Sequence, residues 1–479
     1  MNNVVELLIK GCEEGAGRLL FSDKSGGLTY AQAKEKVLRI ASYLRHEGIA
    51  NEAILVPARR DKETLLLFLG IAASNNYYVP VSEDASESRL SDILRIGGVR
   101  YSFDFADPRL KSLSYENAVE EAASEEDFAA LKSGYNPANP LYLMFTSGST
   151  GVPKGVLKSH GAVLAFVANF LLTFPHVEKG QIIANQTPFS FDASAKDIYL
   201  TLGLASTLFI PSKEVFVLPN KSVEYLNEKK VTMIMWVPSA LITIARIRVL
   251  SYMKPEYLRY VFFIGEVFPT KYLNMWINAL PKTSFYNWYG STEIAGACLY
   301  CQVKEPLGEG EVAPLGKPLE NNEVSLEDGE IVVSSGQVAT CYVGEKEKSE
   351  ATFVKKDGKT YLHTGDYATY NEKGELLFSS RKDFMIKHMG YRIELQDIEV
   401  SALSLDYVAS CCCLYVKEKI ILVVALLEGI KKEAGEVLLD LKSRLAPYML
   451  PNRIVLKAAM PLNANGKIDR ALLKKEMEG

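Results

Sequence analysis

Short apolar segments alternate with amphipathic segments over the first part of the chain. The apolar and β-branched segments that predict strands are 53–57, 77–81, 182–184, 207–210, 233–237 and 260–264. Among them, at 30–45 and 62–73, lie stretches whose apolar side chains follow helical spacing. Strands that alternate with helices are typical of parallel sheets with crossover helices. This part of the chain is therefore predicted to have an α/β fold.

Two changes of pattern divide the rest of the chain. Beyond about Gly308, short strands alternate with tight turns, which predicts antiparallel β structure. These turns lie at 328–329, 357–358 and 373–374. Near 380–383 the alternation of strands and helices resumes, and the remaining stretch is long enough to fold as a small α+β unit. We therefore predict two domains, residues 1–381 and 382–479.

The bulk properties are those of a large soluble protein. The 479 residues are 48% hydrophobic and 23% charged and carry a net charge of −4, which argues against a nucleic-acid binder. The longest uninterrupted apolar run, 420–427, is shorter than the about 18 residues that cross a membrane. Residues 1–15 contain acidic side chains and do not resemble a signal peptide. We therefore expect a cytoplasmic protein that neither binds nucleic acid nor inserts into a membrane.

The segment with the clearest chemical character is 145–155, with the sequence FTSGSTGVPKG. Its glycines let consecutive backbone N–H groups point toward one centre, while hydroxyl groups and one ammonium add further donors. The residues expected to take part are Thr146, Ser147, Gly148, Ser149, Thr150 and Lys154. A flexible surface linker is the alternative interpretation, but a linker needs neither the apolar run 141–144 before it nor the Pro-Lys-Gly ending. The segment therefore predicts a polyphosphate site.

Further motifs follow this loop along the chain. They are 191–194 (FDAS), 265–266 (GE), 287–293 (NWYGSTE), 363–366 (HTGD), 381–399 (RKDFMIKHMGYRIELQDIE), 445–451 (LAPYMLP) and 463–470 (NANGKIDR). In kind and in order they resemble the motifs of the adenylate-forming superfamily, which comprises acyl-CoA synthetases, luciferases and the adenylation domains of peptide synthetases. The resemblance extends over nearly the whole chain.

This resemblance implies both a fold and a reaction. The fold is a large N-terminal domain, with two mixed or parallel α/β subdomains and a distorted β-barrel, followed by a small mobile α+β C-terminal domain. In the reaction, a substrate carboxylate attacks the α-phosphorus of ATP, with Mg²⁺ present, and expels pyrophosphate. Such a transfer depends on positioning and on neutralising negative charge, which suits a site built from donors and cations.

The resemblance also implies catalytic roles. The loop would hold the β- and γ-phosphates, while Thr292 would donate to the α-phosphate and Glu293 would bind Mg²⁺. Lys467 would reach from the small domain to the carboxylate and the α-phosphate, and it is the expected catalytic residue together with Thr292 and Glu293. Asp383, near the predicted domain boundary, would be the hinge about which the small domain moves between two half-reactions.

A larger set is implied around the adenine and ribose. It consists of Gly265, Glu266, Asn287, Trp288, Tyr289, Gly290, Asp366 and Arg381. The ring of Tyr289 offers a flat face for adenine, and the amide of Asn287 could read the amino edge of the base. The carboxylate of Asp366 could accept hydrogen bonds from both ribose hydroxyls, and Arg381 would also reach the ribose.

Asp192 indicates the class of acid. By the same resemblance, an aspartate at this place pairs with the ammonium of an amino-acid substrate, so an amino acid is implied. The alternative is purely structural: Asp192 could cap a helix beginning at Ala193 and pair with Lys196 at i,i+4. The setting of Asp192 within the FDAS motif favours the functional interpretation.

The remaining pocket residues suggest a small substrate. By resemblance they are Asp192, Ala193, Lys196, Met235, Ile264, Trp288, Gly296, Ala297 and Lys467. The large side chains of Trp288 and Met235 would leave room only for a small amino acid such as alanine, glycine or serine. Lys196 leaves a second interpretation open, because a lysine that faces the pocket could pair with an acidic substrate such as glutamate.

The resemblance extends to the second half-reaction. The strings FDAS with KDIYLTLG, FIGEVFP and APYMLP are similar to those of D-alanine:carrier-protein ligases and related stand-alone adenylation proteins. This implies transfer of the amino acid to the phosphopantetheine thiol of a separate carrier protein, since we find no carrier domain after Gly479. The alternatives are a CoA ligase for a small carboxylic acid and a non-catalytic nucleotide-binding relative.

Overall fold

The computed structural model describes residues 1–146, 153–308, 311–381, 385–388, 391–442, 444–445, 447–463 and 467–478. The helices in the N-terminal part are α1 (Val5–Gly15), α2 (Tyr30–His46), α3 (Lys62–Ala73), α4 (Glu87–Gly97), α5 (Tyr115–Glu120), α6 (Glu125–Ser133), α7 (His160–Thr173), α8 (Ser194–Gly203), α9 (Lys213–Val217), α10 (Pro219–Glu228), α11 (Pro238–Arg246) and α12 (Thr270–Ala279). Later helices are α13 (Lys346–Thr352), α14 (Leu395–Leu403), α15 (Ala434–Lys442) and α16 (Arg470–Glu478), and 3-10 turns lie at Val249–Ser251 and Pro447–Met449.

The largest sheet has nine strands. In spatial order they are β15 (Lys317–Pro318), β14 (Leu299–Val303), β13 (Ser284–Tyr289), β12 (Tyr260–Ile264), β11 (Met233–Trp236), β9 (Ile182–Ala184), β10 (Thr207–Phe209), β1 (Leu19–Asp23) and β2 (Gly26–Thr29). The strands from β13 to β1 run parallel, and antiparallel strands flank them on both sides. The carboxyl ends of β12 and β13 therefore meet at one edge, where the motifs 265–266 and 290–293 follow.

The second sheet has seven strands. Their order is β18 (Cys341–Val343), β8 (Lys154–Ser159), β7 (Pro140–Thr146), β4 (Tyr77–Val81), β3 (Ala53–Pro57), β5 (Tyr101–Phe103) and β6 (Lys111–Leu113). The strands from β7 to β6 are parallel, whereas β8 and β18 are antiparallel to their neighbours. Two mixed α/β sheets were predicted for the N-terminal part, and this prediction is confirmed.

A third, antiparallel sheet follows. It contains β16 (Glu323–Glu327), β17 (Glu330–Ser334), β20 (Lys359–Tyr370) and β19 (Phe353–Lys356), with β21 (Leu376–Arg381) also paired to β20. The prediction of antiparallel structure after Gly308 is confirmed. Among the described residues the outer strands do not pair with each other, so the expected distorted β-barrel is an open sheet.

The last part of the chain contains a two-stranded ribbon, β22 (Met385–His388) and β23 (Tyr391–Glu394), and a three-stranded sheet, β24 (Val408–Val416), β25 (Lys419–Leu426) and β26 (Arg453–Lys457). Two hydrophobic clusters consist wholly of residues from this part. A mixed α+β composition was predicted here and is confirmed. No helix in the described ranges is both long and apolar enough to span a bilayer.

Local sequence signals account for several helix ends. Thr29 and Gln32 form a capping box at the start of α2, and the Asp61 side chain accepts a hydrogen bond from the backbone N–H of Thr64 at the start of α3. Gly98, with φ of 60°, adopts the left-handed conformation that ends α4. Polar and glycine residues between the apolar segments thus terminate the elements that the apolar pattern predicts.

Candidate active site

The predicted phosphate loop is closed by a strand pair. Thr146 ends β7, Lys154 begins β8, and the two residues lie opposite each other in the antiparallel register. The loop residues Ser147, Gly148, Ser149 and Thr150 lie outside the described residues, as does the hinge candidate Asp383. What the structure shows is therefore the base of the loop, with the Lys154 side chain at its C-terminal end.

Lys154 contacts the metal-ligand candidate Glu293. Its ammonium Nζ lies 3.3 Å from Glu293 Oε1 and 4.1 Å from the centre of the Tyr342 ring. The Tyr342 hydroxyl donates to the same Oε1 at 2.7 Å. Tyr342 reaches this position because β18 pairs with β8, which places Tyr342 opposite Val156. Sequence reasoning missed Tyr342, which lies 49 positions from Glu293 along the chain.

The environment of Glu293 favours its ionised form. Burial by itself raises the pKa of this carboxyl, but the nearby Lys154 ammonium and the Tyr342 hydroxyl act in the opposite direction and leave the pKa below its usual value. A carboxylate that stays charged although it is largely shielded from solvent suits a hard divalent cation such as Mg²⁺. Thr292 lies next to it in the turn after β13.

Tyr289 and Asp366 form the next part of the site. The Tyr289 hydroxyl donates to Asp366 Oδ2 at 2.6 Å, and both side chains are buried. Burial, and then the charge of Asp366, raise the pKa of Tyr289 well above its usual value, so the phenol keeps its proton. Arg381 lies opposite Asp366 in the pairing of β20 with β21, which brings the backbones of these two ribose candidates together.

The side chains of Asn287 and Glu266 form hydrogen bonds with backbone groups of the protein. The Asn287 amide nitrogen donates to the carbonyl oxygens of Ala313 and Pro314, at 3.2 and 2.8 Å. Glu266 Oε2 accepts a hydrogen bond from the backbone N–H of Ser239 at 2.9 Å, at the start of α11. The donor of Asn287 is therefore already engaged, and one oxygen of Glu266 stabilises a helix N-terminus.

Lys467 reaches this edge of the sheet from the C-terminal part of the chain. Its Nζ donates to the carbonyl oxygen of Gly265 at 2.9 Å. Gly265 has a φ of +91°, and a Cβ placed there would lie 3.5 Å from the Lys467 ammonium. A second contact between the two parts is made by Lys271 on α12, whose ammonium donates to the carbonyl oxygens of Leu405 and Val408 at 3.1 and 3.2 Å. Sequence reasoning missed Lys271.

Asp192 has partners that the sequence did not suggest. Its Oδ1 accepts hydrogen bonds from Lys158 Nζ and from the Tyr142 hydroxyl, each at 2.7 Å. The structural alternative is wrong on both counts, because α8 begins at Ser194, has Ala193 as an N-cap without a side-chain hydrogen bond, and leaves Asp192 paired with Lys158. Lys158 directly follows the apolar pair Val156 and Leu157 in β8, and a lysine in that setting is a signal that could have revealed this pair.

Lys196 is neutralised within the protein. Its ammonium donates to the carbonyl oxygen of Ala193 at 2.7 Å and lies 3.3 Å from Asp197 Oδ1. The side chains of Lys196 and Asp197 are both buried, and Asn185 donates to the other Asp197 oxygen. Lys196 therefore has a counter-ion without an acidic substrate.

The predicted pocket walls are buried and tightly packed. Met235, Ile264, Trp288 and Ala297 are all buried, and Trp288 packs edge-to-face against Phe166. Gly296 has a φ of +66°, and a Cβ there would lie 2.2 Å from the Phe166 ring, so this position excludes any side chain.

The Gly290 and Gly296 backbones also touch. A Cβ on Gly290 would lie 2.5 Å from the Gly296 carbonyl oxygen. The buried Gln337 amide donates to the carbonyl oxygens of Ala295 and Ala297, at 2.7 and 2.9 Å. Gln337 was not identified from the sequence, yet its two hydrogen bonds hold the segment that forms this wall.

Comparisons with known proteins agree with this arrangement. The model of the AMP-binding enzyme family matches residues 11–343. A D-alanine--D-alanyl carrier protein ligase from Bacillus licheniformis is 29% identical, and the match covers 99% of each chain.

Solved structures share the fold. Klebsiella oxytoca NpsA, in complex with 3-hydroxyanthranilyl-AMSN, superposes with a TM-score of 0.85 at 18% identity, covering 100% of this chain and 99% of that one. A benzoate CoA ligase from Burkholderia xenovorans LB400 also gives a TM-score of 0.85 at 18% identity, covering 99% of this chain and 100% of the other. At these identities the likeness concerns the fold alone.

Proposed function

The chain belongs to the family of AMP-binding enzymes, and from this premise we propose that it activates a small amino acid as an aminoacyl-AMP, releasing pyrophosphate from ATP. The second half-reaction would transfer the aminoacyl group to the phosphopantetheine thiol of a separate carrier protein. The observation that carries this proposal is that Lys467 contacts Gly265 at the end of β12, beside the end of β13 that leads to Glu293. The name of the Bacillus licheniformis relative supports the choice of acid and acceptor.

In the first half-reaction, a carboxylate oxygen of the acid forms a bond to the α-phosphorus, and the bond from that phosphorus to the pyrophosphate oxygen breaks. Negative charge builds up around the phosphorus as this happens. Lys467 would balance this charge near the carboxylate, and Lys154 would balance it near the β- and γ-phosphates. Fixed cations of this kind are a large source of rate enhancement in phosphoryl-type transfers.

We propose that Glu293 binds Mg²⁺. The donor set fits, since the carboxylate is kept ionised by Lys154 and oriented through Oε1 by the Tyr342 hydroxyl. When bound, the cation would neutralise phosphate charge. Thr292, adjacent to Glu293, would donate its hydroxyl to the α-phosphate.

The nucleotide would lie against Tyr289 and the strand pair of Asp366 and Arg381, which are already in contact through the Tyr289 hydroxyl. The Tyr289 ring would stack on adenine, while Asp366 and Arg381 would bind the ribose. Because the amide nitrogen of Asn287 is engaged by backbone carbonyls, its oxygen is the group left to accept a hydrogen bond from the adenine amino group. Residues 147–150, which follow Thr146 in the sequence, would complete the phosphate site.

The walls of the pocket favour a small, uncharged amino-acid side chain. Trp288 and Met235 fill space, and Gly296 cannot carry a side chain without meeting Phe166. The acidic substrate that Lys196 left open is disfavoured, because Asp197 already neutralises Lys196. We therefore propose alanine as the substrate, with Asp192 receiving its ammonium.

The division into residues 1–381 and 382–479, with Asp383 as hinge, remains a proposal. It is supported by the separate hydrophobic clusters formed from residue 386 onward and by a reaction in two steps that need different arrangements of the same site. The cytoplasmic location likewise remains a prediction.

The test is ATP–pyrophosphate exchange with a panel of acids. D-alanine, L-alanine, glycine, D-lactate and L-glutamate are compared on the wild type and on Asp192→Ala. We expect one alanine enantiomer to give the highest rate and Asp192→Ala to lose most of it. Preference for L-glutamate, or full alanine activity in Asp192→Ala, would contradict the proposed substrate.

A CoA ligase for a small carboxylic acid is the second candidate. One observation favours it. Asp192 already has Lys158 as its counter-ion, so its charge is balanced without the ammonium of an amino-acid substrate. Supplying free CoA or a phosphopantetheinylated carrier protein to enzyme loaded with the activated acid separates the two. We expect the thioester to form on the carrier protein.

A further inference from the structure

Strand β8 carries two lysines on one face. Side chains alternate across a strand, so Lys154 and Lys158 point to the same side and are separated by about 13 Å along it. Lys154 reaches Glu293, whereas Lys158 reaches Asp192 and also donates to the carbonyl oxygen of Ile294 at 3.0 Å. The strand therefore extends from the proposed phosphate site to the proposed acid site, with one ammonium at each.

The Lys158–Asp192 pair is preformed and enclosed. The Lys158 side chain is 0% exposed and that of Asp192 is 11% exposed. Both hydrogen bonds that we find to the Asp192 carboxylate, from Lys158 and from Tyr142, go to Oδ1. Within the described part of the chain we find no hydrogen bond to Oδ2. A buried ammonium needs a carboxylate partner of this kind, and the pair is already balanced in charge before any substrate arrives.

We infer that Lys158 is a specificity-determining residue that sets how strongly the acid site distinguishes an α-ammonium from an uncharged α-substituent. This inference rests on the proposed acid activation and refines its substrate class. Because Lys158 neutralises Asp192, Oδ2 acts as a hydrogen-bond acceptor beside a fixed positive charge. An α-hydroxyl can use that acceptor, while an α-ammonium is also repelled by Lys158. The site therefore admits 2-hydroxy acids as well as amino acids.

Alanine and lactate are the appropriate probes, since they differ only in the α-substituent. The variant Lys158→Met keeps the length and the apolar stem of the side chain but removes the charge. It leaves the Asp192 carboxylate with the Tyr142 hydroxyl but without a counter-ion, for which an ammonium-bearing substrate is the natural replacement. We expect the ratio of kcat/KM for alanine to that for lactate to rise about tenfold or more, mainly through a lower KM for alanine.

The measurement is ATP–pyrophosphate exchange with the alanine enantiomer that the wild type prefers and lactate of the same configuration. An unchanged or lower ratio in Lys158→Met overturns the inference. Lys158→Arg, which keeps the charge, should stay near the wild-type ratio. The matched control is Lys62→Met, because Lys62 is also a largely buried lysine paired with an aspartate, Asp23, on another element.

The wild type provides a second test that does not depend on the variant folding. We expect its ratio of kcat/KM for alanine to kcat/KM for lactate to be below about a thousand. A higher ratio, which is typical of sites that strictly require one polar group, would overturn the inference. If no acid supports exchange in the wild type, the proposed function fails. If alanine supports exchange and the ratio in Lys158→Met does not rise, only the role of Lys158 fails.

Discussion

Lys467 donates a hydrogen bond to the carbonyl oxygen of Gly265, at 2.9 Å, although 202 positions separate the two residues. Gly265 follows β12 directly, at the edge of the nine-stranded sheet where the motif 290–293 also begins. This contact brings an ammonium from the C-terminal part of the chain to the place where the acid and the α-phosphate are proposed to react.

Replacement of Lys467 by alanine should remove this charge without disturbing the sheet. We expect kcat for pyrophosphate exchange to fall by about 10²- to 10³-fold, as when one fixed donor to a developing charge is lost. ATP binding, measured by calorimetry, should change little. Lys474→Ala, which removes an exposed lysine from α16, is the control and should behave as the wild type. Exchange at or near the wild-type rate in Lys467→Ala would exclude Lys467 from the chemistry.

The Tyr342 hydroxyl should affect the metal dependence. Tyr342→Phe keeps the ring beside Lys154 but removes the hydrogen bond to Glu293 Oε1. Loss of a partner that orients a metal ligand typically weakens metal affinity by about 10- to 100-fold, so the Mg²⁺ concentration for half-maximal exchange should rise about tenfold. Tyr252→Phe, at an exposed tyrosine, provides the comparison. An unchanged Mg²⁺ requirement would show that Tyr342 does not support a metal ligand.

The apolar pattern predicted much of the fold because buried parallel strands are continuous apolar runs. Strands β3, β4, β9 and β12 coincide with the predicted segments, and α3 coincides with its own. The resemblance to adenylate-forming enzymes is confirmed by the family match. A distorted barrel was expected, and the sequence could not show that the third sheet is open among the described residues, since pairing between the outer strands depends on their positions in space and not on the alternation within each strand.

Lys271 should stabilise the observed arrangement of the two parts of the chain. Its ammonium donates to the carbonyl oxygens of Leu405 and Val408, which follow α14. Lys271→Met removes both hydrogen bonds and keeps the apolar stem, so we expect exchange to slow about fivefold while transfer to the carrier protein is not slowed. The two half-reactions are measured separately, with Lys254→Met as the exposed control. Equal slowing of both half-reactions would argue against a role in domain arrangement.

His160 should make stability depend on pH. Burial lowers the pKa of His160 to about 3, and its Nδ1 accepts a hydrogen bond from the backbone N–H of Val4. In the unfolded chain this histidine has an ordinary pKa of about 6.5. Between about pH 3 and about pH 6.5, therefore, the unfolded chain binds a proton that the folded chain does not bind. The free energy of unfolding should therefore fall as the pH drops below about 6.5, by up to about 1.4 kcal/mol per pH unit.

The comparison is with His160→Asn, whose side-chain oxygen can still accept from Val4. Thermal unfolding is measured at pH 7.5 and at pH 5. Between these two pH values the wild type should lose more stability than His160→Asn. If both proteins lost the same amount, other groups would account for the acid sensitivity.

The partners within the candidate site were harder to predict than the residues themselves. Motifs identified Asp192 and Glu293, but their partners Lys158 and Tyr342 come from β8 and β18, whose pairing is a long-range property. Lys196 illustrates the same limit, because only the fold shows that Asp197 and the Ala193 carbonyl hold its ammonium. Motif spacing along the chain indicates which residues take part in the chemistry. Which counter-ion each charged residue has is decided by packing in three dimensions.

The most direct test of the central claim is a single-turnover reaction of enzyme, ATP and alanine, with the products identified by mass spectrometry. The account predicts alanyl-AMP and pyrophosphate in equal amounts from the wild type, and neither product on the same timescale from Lys467→Ala. ATP left intact, or cleaved to ADP and phosphate, in the wild-type reaction with every small acid tried would contradict it.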